Sequence, residues 1–423
     1  MVAAALGLWW VLAAPPAHHV VAPAYEMGAP PDAIAAVARA GDDVGRTVTR
    51  TAFELPGYDD IVLQEARGRA FATAVDGFVW TVDLATGHAE RLIDVPLMPA
   101  GARAVPGDPD RLLFCAARYG TRRDHPAQAP GLYELTISIP EVREVAIRVP
   151  REPAPPGPAT ASGGRVVAGA AVREVALADL TEANSRPVAF CNDLDVGPGG
   201  RYVYFSEPFD YPGASMGPGA VAEAITLARN GRLWRVDRER ETIALVAERY
   251  TFLDGVLIEP GGQSVLITET PKFRLLRLHV AGPKAGTDEI VWESLPGMPD
   301  GLDRDGAGRI WIGLVRMRTP LTTWVHAHPW VKPLLLRLPA ALLPVPHDTG
   351  ILALSPDAAT PLYLTAHDGS RVAEIAVVVP GADRLYLPSF ALANRGLVTM
   401  PYPPGITPPG ASAAARRRAA RTP

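Results

Sequence analysis

Six rows of strand, tight turn and strand, a proline share near twice the usual, and no sustained helical period predict an all-β chain folded as a six-bladed β-propeller. The chain has 423 residues, 48% of them apolar, enough for a large core. Its 44 prolines fall between apolar runs rather than inside them, against a usual share of about 5%. That is the punctuation of many short strands. The formal net charge of -4 leaves no basic surface for a nucleic acid.

From the start of the chain, Val2 to Ala14 is an uninterrupted apolar run, VAAALGLWWVLAA, followed by the Pro-rich PPAHHVVAPAYEMGAPP. The run is short of the ~20 residues that span a bilayer as a helix. It has the length of a signal-peptide apolar region, although no Lys or Arg precedes it. Residues 1–24 therefore read as an export signal or membrane anchor, placing the chain outside the cytoplasm. An apolar arm on a cytoplasmic protein is the alternative, as is a start codon set too early.

The propeller is expected over residues 25–400. With its first residue as position zero, each row begins at Asp59 (DDIVLQEARGRAFATAV), Ala100 (AGARAVPGDPDRLLFCAA), Asn192 (NDLDVGPGGRYVYFSEP), Asp254 (DGVLIEPGGQSVLITET), Asp300 (DGLDRDGAGRIWIGLV) or Glu374 (EIAVVVPGADRLYLPSF). Pro106, Pro198, Pro260 and Pro380 stand at position six, where the turn falls. Phe71, Tyr204, Leu266, Trp311 and Tyr386 stand inside the second strand. A further strand pair follows most rows, as in GRLWRVDRERETIALVAE from Gly231 to Glu248, giving four strands per blade. The longest step, from Ala100 to Asn192, requires an insertion, and EPAPPGPATASGG from Glu152 to Gly164 predicts a flexible section there. Residues 401–423, ending in AAARRRAARTP, read as a disordered Pro-rich and basic tail.

The first strand of a propeller blade lines the central channel, so position zero of every row faces the axis. Asp59, Asn192, Asp254, Asp300 and Glu374 bring oxygen ligands there, and only Ala100 does not. Asp-Gly and Asn-Asp are ordinary turn formers, and any one pair alone is better read as a turn. The rows already carry their turn at position six, so nothing local requires an acid at position zero. Carboxylates crowded on one axis repel one another and need a cation. Oxygen ligands without His or Cys suit a hard divalent ion such as Ca²⁺. Cys115 and Cys191 make neither a metal motif nor a disulfide framework, and two buried thiols are the expected state, with a single bridge as the alternative.

FCNDLDVGPGGRYVYFSEP, FLDGVLIEPGGQSVLITETPKFRLLRLHVAGPKAG and LPGMPDGLDRDGAGRIWIGLVRMR together resemble the strictosidine synthase-like proteins, which include the adipocyte plasma-membrane-associated proteins. The resemblance runs from about Tyr58 to Met400, and HPWVKPLLLRLP, from His328 to Pro339, looks like the family's cap segment. More distantly the chain is similar to the gluconolactonase, paraoxonase and diisopropylfluorophosphatase propellers. That likeness implies a Ca²⁺ site at the channel floor, held by a Glu, two Asn and an Asp. Asn192 matches the first Asn and Asp300 the Asp; Asp59 stands where the Glu is expected, and Asp254 where the second Asn is expected. Glu374 falls where strictosidine synthase has its catalytic glutamate, the base of a Pictet-Spengler condensation.

The resemblance implies a metal-dependent hydrolase of lactones or aryl esters, with Asp254 or Glu374 as general base or nucleophile. His347 and His367 are candidate proton carriers, although each is more readily a surface or packed histidine. A binding propeller without turnover is the second reading, and a synthase using Glu374 the third. The expected partners are a small-molecule substrate and, through the N-terminus, a membrane.

Overall fold

The computed structural model describes residues 2–13, 20–95, 97–119, 128–151, 159–211, 214–338, 342–343 and 345–410. Five antiparallel sheets follow one another along the chain: Tyr58–Gln64 to Ala89–Asp94, Met98–Val105 to Glu141–Ala146, Leu194–Val196 to Thr242–Tyr250, Leu253–Ile258 to Thr287–Trp292, and Gly297–Arg304 to Pro361–His367. The sixth takes Val379–Pro380, Arg384–Tyr386 and Leu397–Pro401 from the end of the chain and its outer strand, Thr49–Thr51, from near the beginning. Thr49 pairs with Thr399 and Thr51 with Leu397, so a hydrogen-bonded ladder closes the ring. These are the six blades that the rows predict; position zero lies on the innermost strand in blades one, two, four and five, two residues before it in blade three and five residues before it in blade six.

Burial explains why these segments hold as strands. In Ser264–Glu269 the β-branched Val265 and Ile267 and the intervening Leu266 are all buried, because adjacent blades cover both faces of the sheet. Each such side chain contributes about 1.5–3 kcal/mol. The position-six turn is just as local: Gly261 and Gly262 after Pro260 have φ of 94° and 68°, angles a Cβ would oppose.

Two features depart from expectation, the cap helices and the cysteine pairing. The chain is not free of helices: Pro218–Thr226 joins the second and third strands of blade three, and Pro320–Ala327 and Lys332–Leu335 join the same strands of blade five. At nine, eight and four residues they are too short to print a period on the sequence. The cysteines are paired rather than free: Cys115 and Cys191 form a disulfide that ties the second strand of blade two to the residue before Asn192. His328 to Pro339 does form part of a cap, but Pro339 itself lies outside the described residues.

The insertion before blade three folds as a two-stranded ladder, Arg148–Pro150 with Ser185–Pro187, and sends Arg165–Val166 and Val175–Ala176 to the outer strand of blade three. Residues 152–158, expected to be flexible, and the tail from 411 lie outside the described residues. Near the N-terminus, Val2–Ala13 is a helix of 12 residues, about 18 Å long against a hydrocarbon core of about 30 Å. Among the described residues no helix is long and apolar enough to cross a membrane. The segment after it crosses the cap, where Ala22 N donates to Thr226 O and Tyr25 N to His326 O, both at 2.9 Å.

Candidate metal centre and pocket

What brings position zero to the axis is a β-bulge. The ladder slips between Tyr58 and Asp60, between Pro99 and Ala102, between Leu253 and Val256, and between Pro299 and Leu302. Each slip sits on the position-zero residue of its row. The Asp-Gly pairs are therefore bulges in innermost strands and not turns. A bulge re-aims one side chain and leaves a backbone N–H without its ladder partner. Thr73, Ser206 and Thr268 take up that N–H, from Asp60, Asp193 and Gly255, at 3.1, 3.0 and 2.7 Å. Glycine at position one lets adjacent innermost strands touch: a Cβ on Gly255 would lie 2.2 Å from Asp300 O.

Asp59, Asn192, Asp254 and Asp300 line one void of about 20 Å³ on the axis, room for a single water-sized occupant. All four are buried. Asn192 Nδ2 donates to Asp254 Oδ1, and Thr270 Oγ1 donates to Asp254 Oδ2 at 3.1 Å. Asp254 and Asp300 both border this void, and burial raises the carboxyls of both. Burial first, then Asp60 and Asp254, holds the Asp59 carboxyl well above the usual range; burial and Asp254 do the same for Asp300. Asn192 Oδ1, also buried, has no hydrogen-bond partner among the described residues. Three carboxyls without a neutralising base and an orphaned amide oxygen at one point are a donor set that fits a hard divalent cation. Ala100 contributes no ligand.

A second layer lies next along the axis, and the sequence reading missed it. Asp60, Asp193, Asp195 and Asp303 surround Arg103. The guanidinium of Arg103 donates to Asp60 Oδ2 at 2.7 Å and to Leu302 O at 2.9 Å, and lies 3.8 Å from Asp195. Asp60, Asp193 and Asp195 also accept Ala102 N, Val256 N and Ile258 N from the next blade, at 2.9, 2.8 and 2.7 Å. Burial still pushes Asp193 up to about 8 and Asp303 up to about 6, against the pull of Arg103.

On the other side, Asp254 and Asp300 form the floor of a pocket of about 330 Å³ under the cap helices. Its walls are apolar, with Phe252, Met298, Val315 and Phe390 below and Ile225, Trp324 and Val325 above. Glu374 lines the wall as an ion pair with Arg316, whose other nitrogen donates to Pro346 O; Glu374 sits at φ 53°. The structure thus brings Glu374 to the pocket but not to the axial void.

Neither candidate proton carrier reaches the pocket. His347 is exposed. His367 is buried, its Nε2 accepting Arg371 N and Val372 N at 3.1 and 3.3 Å, so Nδ1 carries the proton and donates to Asp42 Oδ2 at 2.6 Å. Asp42, His367 and Asp368 are close enough to suggest a metal group, yet that imidazole has no lone pair left. The histidine that does line the pocket is His326.

Residues 147–320 match the protein family described as the SMP-30/Gluconolactonase/LRE-like region. The chain is 30% identical over 160 residues to protein STRICTOSIDINE SYNTHASE-LIKE 10 of Arabidopsis thaliana, covering 38% of this chain and 42% of that one. It is 26% identical over 225 residues to the human adipocyte plasma membrane-associated protein, covering 51% and 52%. The chain thus spans about half or less of these relatives' length. An X-ray structure assigned as a gluconolactonase aligns over 89% of this chain and 97% of its own, at TM-score 0.51 and 14% identity, a likeness of fold alone. The resemblance that the three motifs carry is therefore present across sequence and fold.

Proposed function

We propose that this gluconolactonase-like propeller is a divalent-cation-dependent hydrolase of lactones or aryl esters. The observation that carries the reading is the unpartnered Asn192 Oδ1 beside Asp59, Asp254 and Asp300, at the floor of an apolar pocket. Asp59, Asn192, Asp254 and Asp300 would hold the ion, with Ca²⁺ the first choice for all-oxygen donors. When bound, such an ion supplies Lewis-acid polarisation of a carbonyl and stabilises an oxyanion.

The rest falls to the chain. The apolar walls orient the ester with its carbonyl towards the floor and leave water to the floor and to the polar stretch of wall at Glu374 and Arg316. Arg316 fixes the Glu374 carboxylate at the pocket wall. There Glu374 takes the proton as water's oxygen bonds to the acyl carbon, and returns it to the alkoxide as the ester C–O bond breaks. Asp254 is bonded by Asn192 and Thr270 and belongs to the floor, which makes it the weaker candidate for base.

The test is turnover of a panel of lactones and phenyl acetate, with chelator and after Ca²⁺ is restored. Chelation should abolish turnover and Ca²⁺ recover it. Glu374→Gln should lower turnover by about 10²-fold or more, the scale for a lost general base, at unchanged Ca²⁺ affinity. Full activity in verified metal-free protein would end the proposal.

A further inference from the structure

The exposed apolar side chains of the propeller are spread unevenly. Leu321, Trp324, Trp330 and Leu342 stand exposed on the cap, and Phe53 and Leu392 on the rim of blade six. Both rim residues lie at the pocket end. Phe53 sits between Thr49–Thr51 and the start of Tyr58–Gln64, where Asp59 lies, and Leu392 follows Phe390 of the pocket wall. Leu321 and Trp324 also line the pocket, so this apolar surface is continuous with it. The Pro320–Ala327 helix is apolar on both sides: Val325 is buried, while Leu321 and Trp324, three residues apart, are exposed. A patch of large apolar groups left to water marks an interface.

Two observations say what covers it. Residues 2–25 hold no Asp, Glu, Lys or Arg, and in their apolar helix Val2, Leu6, Leu8 and Trp9 are all exposed. The same stretch is held to the cap, through Ala22 N to Thr226 O and Tyr25 N to His326 O. Residues 306–347, which include the helices between the second and third strands of blade five, contain Arg and Lys but no Asp or Glu. An apolar, tryptophan-bearing face with charges of one sign suits a bilayer surface carrying anionic headgroups. A second copy docked face to face would set those like charges against one another.

We infer that the cap face docks on a lipid bilayer surface, with Leu321, Trp324, Trp330 and Leu342 among the headgroups and the pocket end of the propeller turned to the membrane. The N-terminal helix alone would tether the chain in any orientation; the cap patch fixes which face meets the lipid. The inference stands apart from the hydrolase proposal, since it is read as binding, without turnover.

Flotation of the full chain with vesicles of phosphatidylcholine and about one-fifth phosphatidylserine tests it. The chain should float with them. Trp330 and Leu342, 64% and 65% exposed, do not line the pocket. Trp330→Glu combined with Leu342→Glu should therefore leave the melting temperature unchanged and lower the partition coefficient at least about tenfold, the scale of one apolar side chain withdrawn from the interface. Ile139→Glu, in the turn after Gly131–Thr136 at the far end of blade two, should change neither. Trp330→Ser with Leu342→Ser gives the same reading should the glutamates disturb the fold. A chain that does not float, a folded cap variant that floats like the parent, or an equal loss from Ile139→Glu overturns the inference. So does a dimer in vesicle-free solution that the cap variant splits, which would give the face to a second copy.

Discussion

The two acidic layers on the propeller axis use the same residue type from overlapping rows, yet their charge is compensated from different sources. In the layer of Asp60, Asp193, Asp195 and Asp303 the protein supplies its own cation, Arg103, together with backbone N–H groups from neighbouring blades. In the layer of Asp59, Asp254 and Asp300 the hydrogen bonds come from an amide and a hydroxyl, and among the described residues one amide oxygen goes unpaired. A buried carboxylate is structural where its counter-charge is covalently part of the fold. It is a binding group where the counter-charge must come from outside.

The largest effect that can break this contrast is at Arg103. Arg103→Met leaves Asp60 and Asp195 without their buried partner, and removal of one member of such a pair costs about 3–5 kcal/mol. Denaturant unfolding should register that loss, and excess Ca²⁺ should not recover it. Recovery by Ca²⁺ would mean that the two layers are interchangeable.

A smaller effect comes from pH. Asp303 is held by burial at about 6, above its ordinary 3.8. The folded chain therefore binds more protons than the unfolded chain across that interval, so stability falls as pH rises from about 4 to about 6. One group can contribute at most about 3 kcal/mol over that window. Asp303→Asn should flatten this slope in urea midpoints measured from pH 4 to 7. An unchanged slope would remove Asp303 from the accounting.

The layer of Asp59, Asp254 and Asp300 was legible in the sequence, and the layer around Arg103 was not read from it. Position zero stood out because a strand start has no local use for an acid. Arg103, Asp195 and Asp303 all stand at position three of their rows, and Asp60 and Asp193 at position one. In an ideal strand neither position would share a face with position zero, since side chains alternate with period two. The bulge moves position three onto the axis. Its signal was present in the hydroxyls of Thr73, Ser206 and Thr268, each 13 residues after the N–H it accepts. The cap was harder to read, because helices of nine residues or fewer stand as loop insertions and are held by tertiary contacts such as Tyr25 to His326. The disulfide was harder still: Cys115 and Cys191 are 76 residues apart, and only the blade geometry sets them side by side.

The smallest effect is the most discriminating, because its sign should oppose that at Arg103. Asp300 is buried, and burial and the neighbouring Asp254 hold its carboxyl well above the usual range. Asp300→Asn keeps the shape and offers Asp254 an amide N–H, with no carboxyl left to be protonated or buried as a charge. In metal-free protein the change should be neutral or stabilising, on the order of 1 kcal/mol. The same change removes one of the carboxyls that line the void and should weaken Ca²⁺ binding and ester turnover together. Melting curves with chelator and with added Ca²⁺, run on both chains, separate the two consequences. The variant should match or exceed the parent with chelator and gain less from Ca²⁺. A variant that is less stable without metal and equally responsive to it would make Asp300 a structural acid like Asp60, and the distinction between the layers would fail.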